Sequence, residues 1–254
     1  MRPATVRRAA LPLALAALVG GAARAHVAPS LDDNNRYLKL TPLADRVRLA
    51  YTVYFGEVPG AAARREIDRN RDGAIGDDEA NAFGAALGGQ VGPALTITVD
   101  GARTPITWAQ ISVGMGTPTT GAGAFSVDLI GWLCLPTAGG EHTITLVDAF
   151  ALQRPGETEL RIEDSPGVRV TRARLGLIDL VDHDARWQGA GGPIAHEGFT
   201  LGFTADDARP IGGGVCAGVA TGGGGSRAWM WIAGLVALLA IGAAVVLLAR
   251  RRKQ

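Results

Sequence analysis

Arg46-Val-Arg-Leu-Ala-Tyr-Thr-Val-Tyr-Phe55 is the stretch that decides the fold class. Val47, Leu49, Tyr51, Val53 and Phe55 alternate with Arg46, Arg48, Ala50, Thr52 and Tyr54. A pleated strand built on that period of two buries one face and wets the other. The same alternation returns in Leu95/Ile97/Val99, Phe125/Val127/Leu129, His142/Ile144/Leu146, Leu160/Ile162, Val168/Val170 and Phe199/Leu201/Phe203. Turn formers separate these runs: Asp100-Gly101, Pro136, Gly139-Gly140, Pro155-Gly156 and Pro166-Gly167. Short strands punctuated in this way predict a mainly β fold, an antiparallel β-sandwich.

One segment breaks the rhythm. From Pro59 to about Leu87 the chain is Ala-rich and favours helix, with Pro59 suited to a first helical position. It reads as a helix-loop-helix, residues 58–90, inserted between two strands. The loop is Asp68-Arg-Asn-Arg-Asp-Gly-Ala-Ile-Gly-Asp-Asp-Glu79. It satisfies the spacing D-x-[DN]-x-[DN]-G-x5-E, in which oxygen donors alternate with outward residues so that a hard cation can collect six to eight oxygens.

In these residues the loop resembles the EF-hand family. The resemblance implies Ca2+ as cofactor, held by side-chain oxygens of Asp68, Asn70 and Asp72, the backbone carbonyl of Ala74, and both carboxylate oxygens of Glu79. Gly73 meets the sharp turn without a Cβ penalty. Ile75 takes the apolar place at which EF-hands make a short strand contact, and Phe83 and Leu87 form a buried stripe on the exiting helix. No second such loop occurs, and Arg69 and Arg71 dilute its negative potential. The expected affinity is therefore weak, about 10^-4 to 10^-3 M, and the role structural.

The ends set the compartment. Arg2, Arg7 and Arg8 precede the apolar run Leu11–Val19, and Ala23-Arg-Ala25 follows; this reads as a signal peptide over 1–25 with cleavage before His26. Ala228 to Ala249 carries no charge and is followed by Arg250-Arg-Arg-Lys253. Those 22 residues, about 33 Å as a helix, predict one transmembrane helix with a cytoplasmic tail at 250–254. The Gly-rich stretch 211–227 reads as a flexible tether spanning roughly 20 Å. Cys134 and Cys216 are the two cysteines, and three fates stay open for them: an intrachain disulfide, an intermolecular bond, or lipidation of Cys216. Residues 26–226 hold 16 basic and 24 acidic side chains, a net charge of −8. No basic patch remains for nucleic acid.

Weaker constellations point elsewhere. His26 as a mature N-terminus offers an amine and an imidazole to copper. Asp182, His183 and Asp184, with His196 and Glu197 beyond a Gly-rich loop, are open to a transition-metal reading, though a solvated acidic loop explains them more simply. His142 lies on an apolar strand face and reads as a satisfied core histidine, and Trp108, Trp132 and Trp187 as packing. No catalytic motif pairs a nucleophile with a base. A wider likeness over residues 26–110 rests on a His start, the Arg-Val-Arg-Leu-Ala-Tyr strand, Asp-x-Asn-x-Asp-Gly and the return to Thr98-Val-Asp-Gly101. In that order the chain is similar to the extracytoplasmic N-terminal domains of bacterial nickel/cobalt permeases, which implies an accessory role near a membrane partner.

Two expectations for function follow. The first is a non-enzymatic, membrane-anchored extracytoplasmic protein: a β-sandwich of immunoglobulin-like type over 26–210 with one structural Ca2+ site, acting in binding or scaffolding at the cell surface. The second is an accessory metal-handling protein for nickel, cobalt or copper at a transporter.

Overall fold

The computed structural model describes residues 32–206, 216, 220 and 221. The chain is mainly β, in two six-stranded, mostly antiparallel sheets compatible with a sandwich. The first sheet runs in the order β12 (Asp184–Gln188), β9 (Pro155–Ile162), β1 (Asn34–Pro42), β2 (Arg46–Phe55), β6 (Phe125–Cys134), β5 (Trp108–Gly114). The second runs β11 (Ile178–Asp179), β10 (Val168–Leu175), β13 (Phe199–Ala205), β8 (Gly140–Asp148), β3 (Leu95–Val99), β4 (Ala102–Arg103). A short parallel pair joins β7 (Thr137–Ala138) to β14 (Ala220–Thr221).

Alternation becomes burial. Val47, Leu49, Tyr51 and Val53 are sealed and face the same core as Ile97, Ile144, Leu146, Leu201 and Phe203 of the second sheet. Burying each such side chain contributes about 1.5–3 kcal/mol. Phe55 is only half-buried, because it ends its strand and stacks on Phe125 at 4.5 Å and edge-on to Phe83 at 5.7 Å. Arg46, expected on the wet face, is buried with Asp45 in a two-point ion pair at 2.7 and 2.8 Å, its guanidinium over the Trp132 ring.

The sheets depart from a purely antiparallel sandwich at β1 and β9, which pair in parallel, Leu38 opposite Leu160 and Leu40 opposite Ile162. The chain crosses from the second sheet to the first after β8, so β9 starts at the same end as β1 and runs the same way. A register shift between Val170 and Arg172 changes the phase of β10. Val168 and Val170 are therefore half-exposed while Ala173 and Leu175 enter the core. The Asp100-Gly101 turn has positive φ at both residues, 49° and 82°, the backbone of a tight hairpin turn.

The insert consists of α1 (Glu57–Ile67) and α2 (Asp77–Ala94). Helix α1 starts two residues before Pro59, which sits within the first turn where an N–H has no helical partner anyway. Helix α2 runs past Leu87 to Ala94 because it lies on β5 at small residues. A Cβ at Gly84 would meet Val113 Cγ2 at 2.8 Å and Ile111 Cγ2 at 2.9 Å. A short α3 (Gly192–His196) precedes β13.

The two ends of the sheets differ. One end carries Asn34, Phe55, Phe125, Leu95 and Asp148, and receives both inserted helices. The other carries Arg46, Cys134, Gly140 and Ala205, with β7 beside them. There Cys134 is disulfide-bonded to Cys216, the intrachain fate of the three left open. The stretch read as a free tether from 211 is thus bonded to the domain at Cys216 and paired with it at 220 and 221. Among the described residues no helix is long and apolar enough to cross a membrane; the predicted segments 1–25 and 228–249, and His26, lie outside the described residues.

Candidate metal centre

Helix α1 buries Gly60, Arg64 and Ile67, one stripe at helical spacing, and ends at Asp68. The Asp68 N–H still donates to Arg64 O at 3.1 Å, so the first loop residue hangs from the helix. Its carboxylate is buried, 8% exposed, and turned inward: Oδ1 accepts from Asp72 N at 3.2 Å and Oδ2 from Gly73 N at 3.0 Å. Asn70 Oδ1 accepts from Asp72 N at 2.9 Å, Asp72 Oδ1 from Ala74 N at 2.9 Å, and Asp72 Oδ2 from Asn70 Nδ2 at 3.0 Å. The curl needs left-handed backbone twice, at Arg71 (φ 61°) and Gly73 (φ 84°).

Glu79 closes the curl. Its Oε1 accepts from Arg69 N at 2.8 Å and Asn70 N at 3.3 Å, while Oε2 accepts from Gly76 N at 3.1 Å. One carboxylate in the first turn of α2 thus bridges the start and the end of the loop, and caps the helix as well. The Gly76 N–H first, then those of Arg69 and Asn70, hold the Glu79 carboxyl below its ordinary value.

The loop has a partner that sequence reasoning missed. Ile75 N donates to Pro118 O at 2.6 Å and Thr120 N to Gly73 O at 3.1 Å, making an antiparallel bridge between Ala74 and Thr119. Ile75 is buried beneath it. Residues 115–124, between β5 and β6, thus supply the short strand contact for which no second loop exists. They are held in turn by Arg64, fully buried, which donates to the carbonyls of Met115, Thr117, Thr119, Gly123 and Ala124. Desolvation lowers the Arg64 pKa. The one legible sign was an arginine inside the buried stripe of α1.

The five predicted positions therefore meet in one small net: Asp68, Asn70, Asp72 and Glu79 through hydrogen bonds, and Ala74 through its N–H on Asp72. Each side-chain oxygen accepts from the loop itself; Glu79 Oε1 takes two amides, whereas a carboxylate oxygen bound to one keeps a second lone pair for a cation. Among the described residues no three His, Cys, Asp or Glu side chains are gathered tightly enough to hold a metal ion. The same holds for His183 and His196; His183 Nδ1 reaches only Asp164, at 4.0 Å. His142 is 3% exposed, with ring nitrogens on Asp100 Oδ2 at 2.8 Å and Gly139 O at 3.2 Å. No protein-family model matches the chain, and no match is found among the curated proteins.

Proposed function

We propose that this chain is a membrane-anchored, extracytoplasmic calcium-binding protein without catalytic activity. In this reading an immunoglobulin-like β-sandwich carries one structural Ca2+ site and serves in binding or scaffolding at the cell surface. The observation that carries it is the Glu79 carboxylate, joined to the amides of Arg69, Asn70 and Gly76, which closes a curl whose alternate positions present oxygen. Among the described residues the carboxylates are not gathered into a metal-holding group, so Ca2+ would have to draw Asp68, Asn70, Asp72 and Glu79 together around it with the carbonyl of Ala74. Bound there, Ca2+ supplies positive charge that relieves repulsion among the carboxylates and joins α1 to α2. The bridge to Thr119 and the Arg64 anchor hold the curl against the sandwich.

Cys216, Ala220 and Thr221 lie at the Cys134 end of the sheets and the loop 68–79 lies at the other end; in this reading the anchor would follow from the Cys134 end. Calorimetry on the full-length protein in detergent tests the reading. Saturable Ca2+ binding near 10^-4 to 10^-3 M is expected, lost in Glu79→Gln. No calcium heat in the wild type, or heat unchanged by Glu79→Gln, overturns it. Tight nickel or copper uptake abolished by His26→Ala would favour the metal-handling alternative.

A further inference from the structure

Among the described residues, β5 is the one long sheet edge without a charge. It pairs with β6 on one side; on the other it meets neither a strand nor a backbone hydrogen-bond partner among those residues. Alternate residues of such a strand point both N–H and C=O outward, a template for another chain. The remaining edges are guarded: β4 and β11 are two residues long, and β12 carries Asp184 and Arg186. β5 reads Trp108-Ala-Gln-Ile-Ser-Val-Gly114, with no charge and no proline. A bulge at Ala109 leaves Gln110–Gly114 regular, and every residue there is exposed or half-exposed.

Two features beside this edge specify what would pair with it. At its start Trp108 lines a pocket of about 350 Å3 together with Gly88, Gly89 and Gly92 of α2 and Ile106, with exposed Arg103 its one charged residue. The indole N–H donates to Gly88 O at 2.9 Å and so fixes that wall. On the outer face of the sheet, Asp128 lies opposite Ser112. Asp128 accepts from Thr52 Oγ1 at 2.5 Å and has no ion-pair partner among the described residues. A residue added opposite Ser112 stands two strand spacings, roughly 10 Å, from Asp128, within reach of a lysine or arginine laid over the small serine.

We propose that β5 receives an extended peptide of a partner protein by strand addition, with a basic residue opposite Ser112 and a large apolar residue in the Trp108 pocket. Main-chain hydrogen bonds to the open edge supply affinity, and the two side chains supply specificity. Their spacing follows from the bulge, which shortens the path from Trp108 to Ser112 to the three steps from Gly131 to Asp128 on β6. The apolar residue is therefore three positions from the basic one, on the opposite face. The unpaired Asp128 and a net charge of −8 over 26–226 favour a basic partner. A second copy of the chain would bring the same acidic charge, and pairing through Gln110–Gly114 alone buries far less than the roughly 1,200 Å2 of a stable interface. A helix would leave the edge's backbone groups unpaired. The site stands without Ca2+ in the loop 68–79.

The test is fluorescence anisotropy of labelled nonapeptides with the full-length protein in detergent. The peptides alternate threonine and valine, carry lysine at the centre, and have leucine three positions before or after it, so that both strand directions are sampled. Saturable binding is expected in one direction at least, weakened about tenfold or more when glutamate replaces the lysine. N-methylation of one alternate set of peptide amides should abolish binding, and of the other set should not. Asp128→Asn should weaken the lysine peptide about tenfold and leave a glutamine analogue unchanged. A Cβ at Gly89 would meet nothing within 4 Å, so Gly89→Leu fills the pocket and should remove the advantage of leucine over alanine in the peptide. Circular dichroism checks folding; should either variant misfold, the glutamate and N-methyl peptides decide the matter on the wild type. No binding in either direction, equal binding of lysine and glutamate peptides, indifference to N-methylation, or indifference to both variants each overturn the proposal. So does a dimer in analytical ultracentrifugation that excludes the peptides.

Discussion

The guanidinium of Arg36 on β1 and the carboxylate of Asp148 at the end of β8 form an ion pair between the two sheets, with side-chain exposures of 1% and 0%. Tyr51 donates to the same Asp148 oxygen at 3.0 Å, and Phe150 N to the other at 2.9 Å, while Arg36 Nε has no partner among the described residues. Taking both charges out of water is costly, so the pair specifies how the sheets meet more than it stabilises them. Removing one partner strands the other. Asp148→Leu should lower unfolding free energy by about 3–5 kcal/mol, whereas Arg36→Met, Tyr51→Phe and Asp148→Leu together should recover most of it. Urea denaturation measures both, and equal losses in the single and triple variants would refute the assignment.

Tyr51 gives this network a pH signature. Burial first, and then the Asp148 carboxylate, push its phenol well above the usual value near 10. The folded state keeps that proton when the unfolded chain has released its own, so the contribution is fully present below about pH 10 and is lost as pH rises beyond it. Tyr37 acts in the same direction, more weakly, through partial burial and Glu157. Unfolding free energy should therefore fall above about pH 10 in the wild type and fall less steeply in Tyr51→Phe. Parallel slopes for the two proteins would show that Tyr51 is not responsible.

Arg64 fastens the segment that backs the loop 68–79. Arg64→Met should leave several inward carbonyls without donors and cost about 3 kcal/mol or more. Arg64→Lys should rescue little, since an ammonium presents three donors from one point where a planar fork reaches five carbonyls. Hydrogen exchange at Ile75 and Thr120, whose amides make the bridge, should accelerate in both variants. Unchanged exchange there would separate Arg64 from the loop.

Reduction tests the closure of the domain. The Cys134–Cys216 bond spans 82 residues, and a loop of that length constrains the unfolded chain by about 4–5 kcal/mol in the chain-entropy account. Cys216→Ser, or the wild type under reductant, should unfold at markedly lower urea concentration. An unshifted midpoint would mean that β14 and its neighbours contribute nothing to holding that end.

Legibility followed from how local each signal was. The inward residues of β2, β3, β6, β8 and β13 were readable because a period of two is written in neighbouring positions. The same signal in Tyr37-Leu-Lys-Leu40 of β1 is as clear, yet it was not among the strands expected. The phase change in β10 was hidden, since a bulge inserts one residue without changing composition. The loop 68–79 was readable because every donor lies within one short curl. Its partner, Pro118–Thr120, was not: a run with Thr, Pro and Gly says turn, and nothing in it names the segment it bridges.

The residues alone determined the β character, the helical insert and the oxygen pattern of its loop, because each depends on side chains a few positions apart. Tertiary structure decided the parallel pairing of β1 with β9, the Arg36–Asp148 contact between sheets, the seat of Arg64 among five carbonyls, and the choice of Cys216 as the partner of Cys134. Those join residues far apart in the chain, and which of many such contacts forms depends on the direction in which each strand enters its sheet.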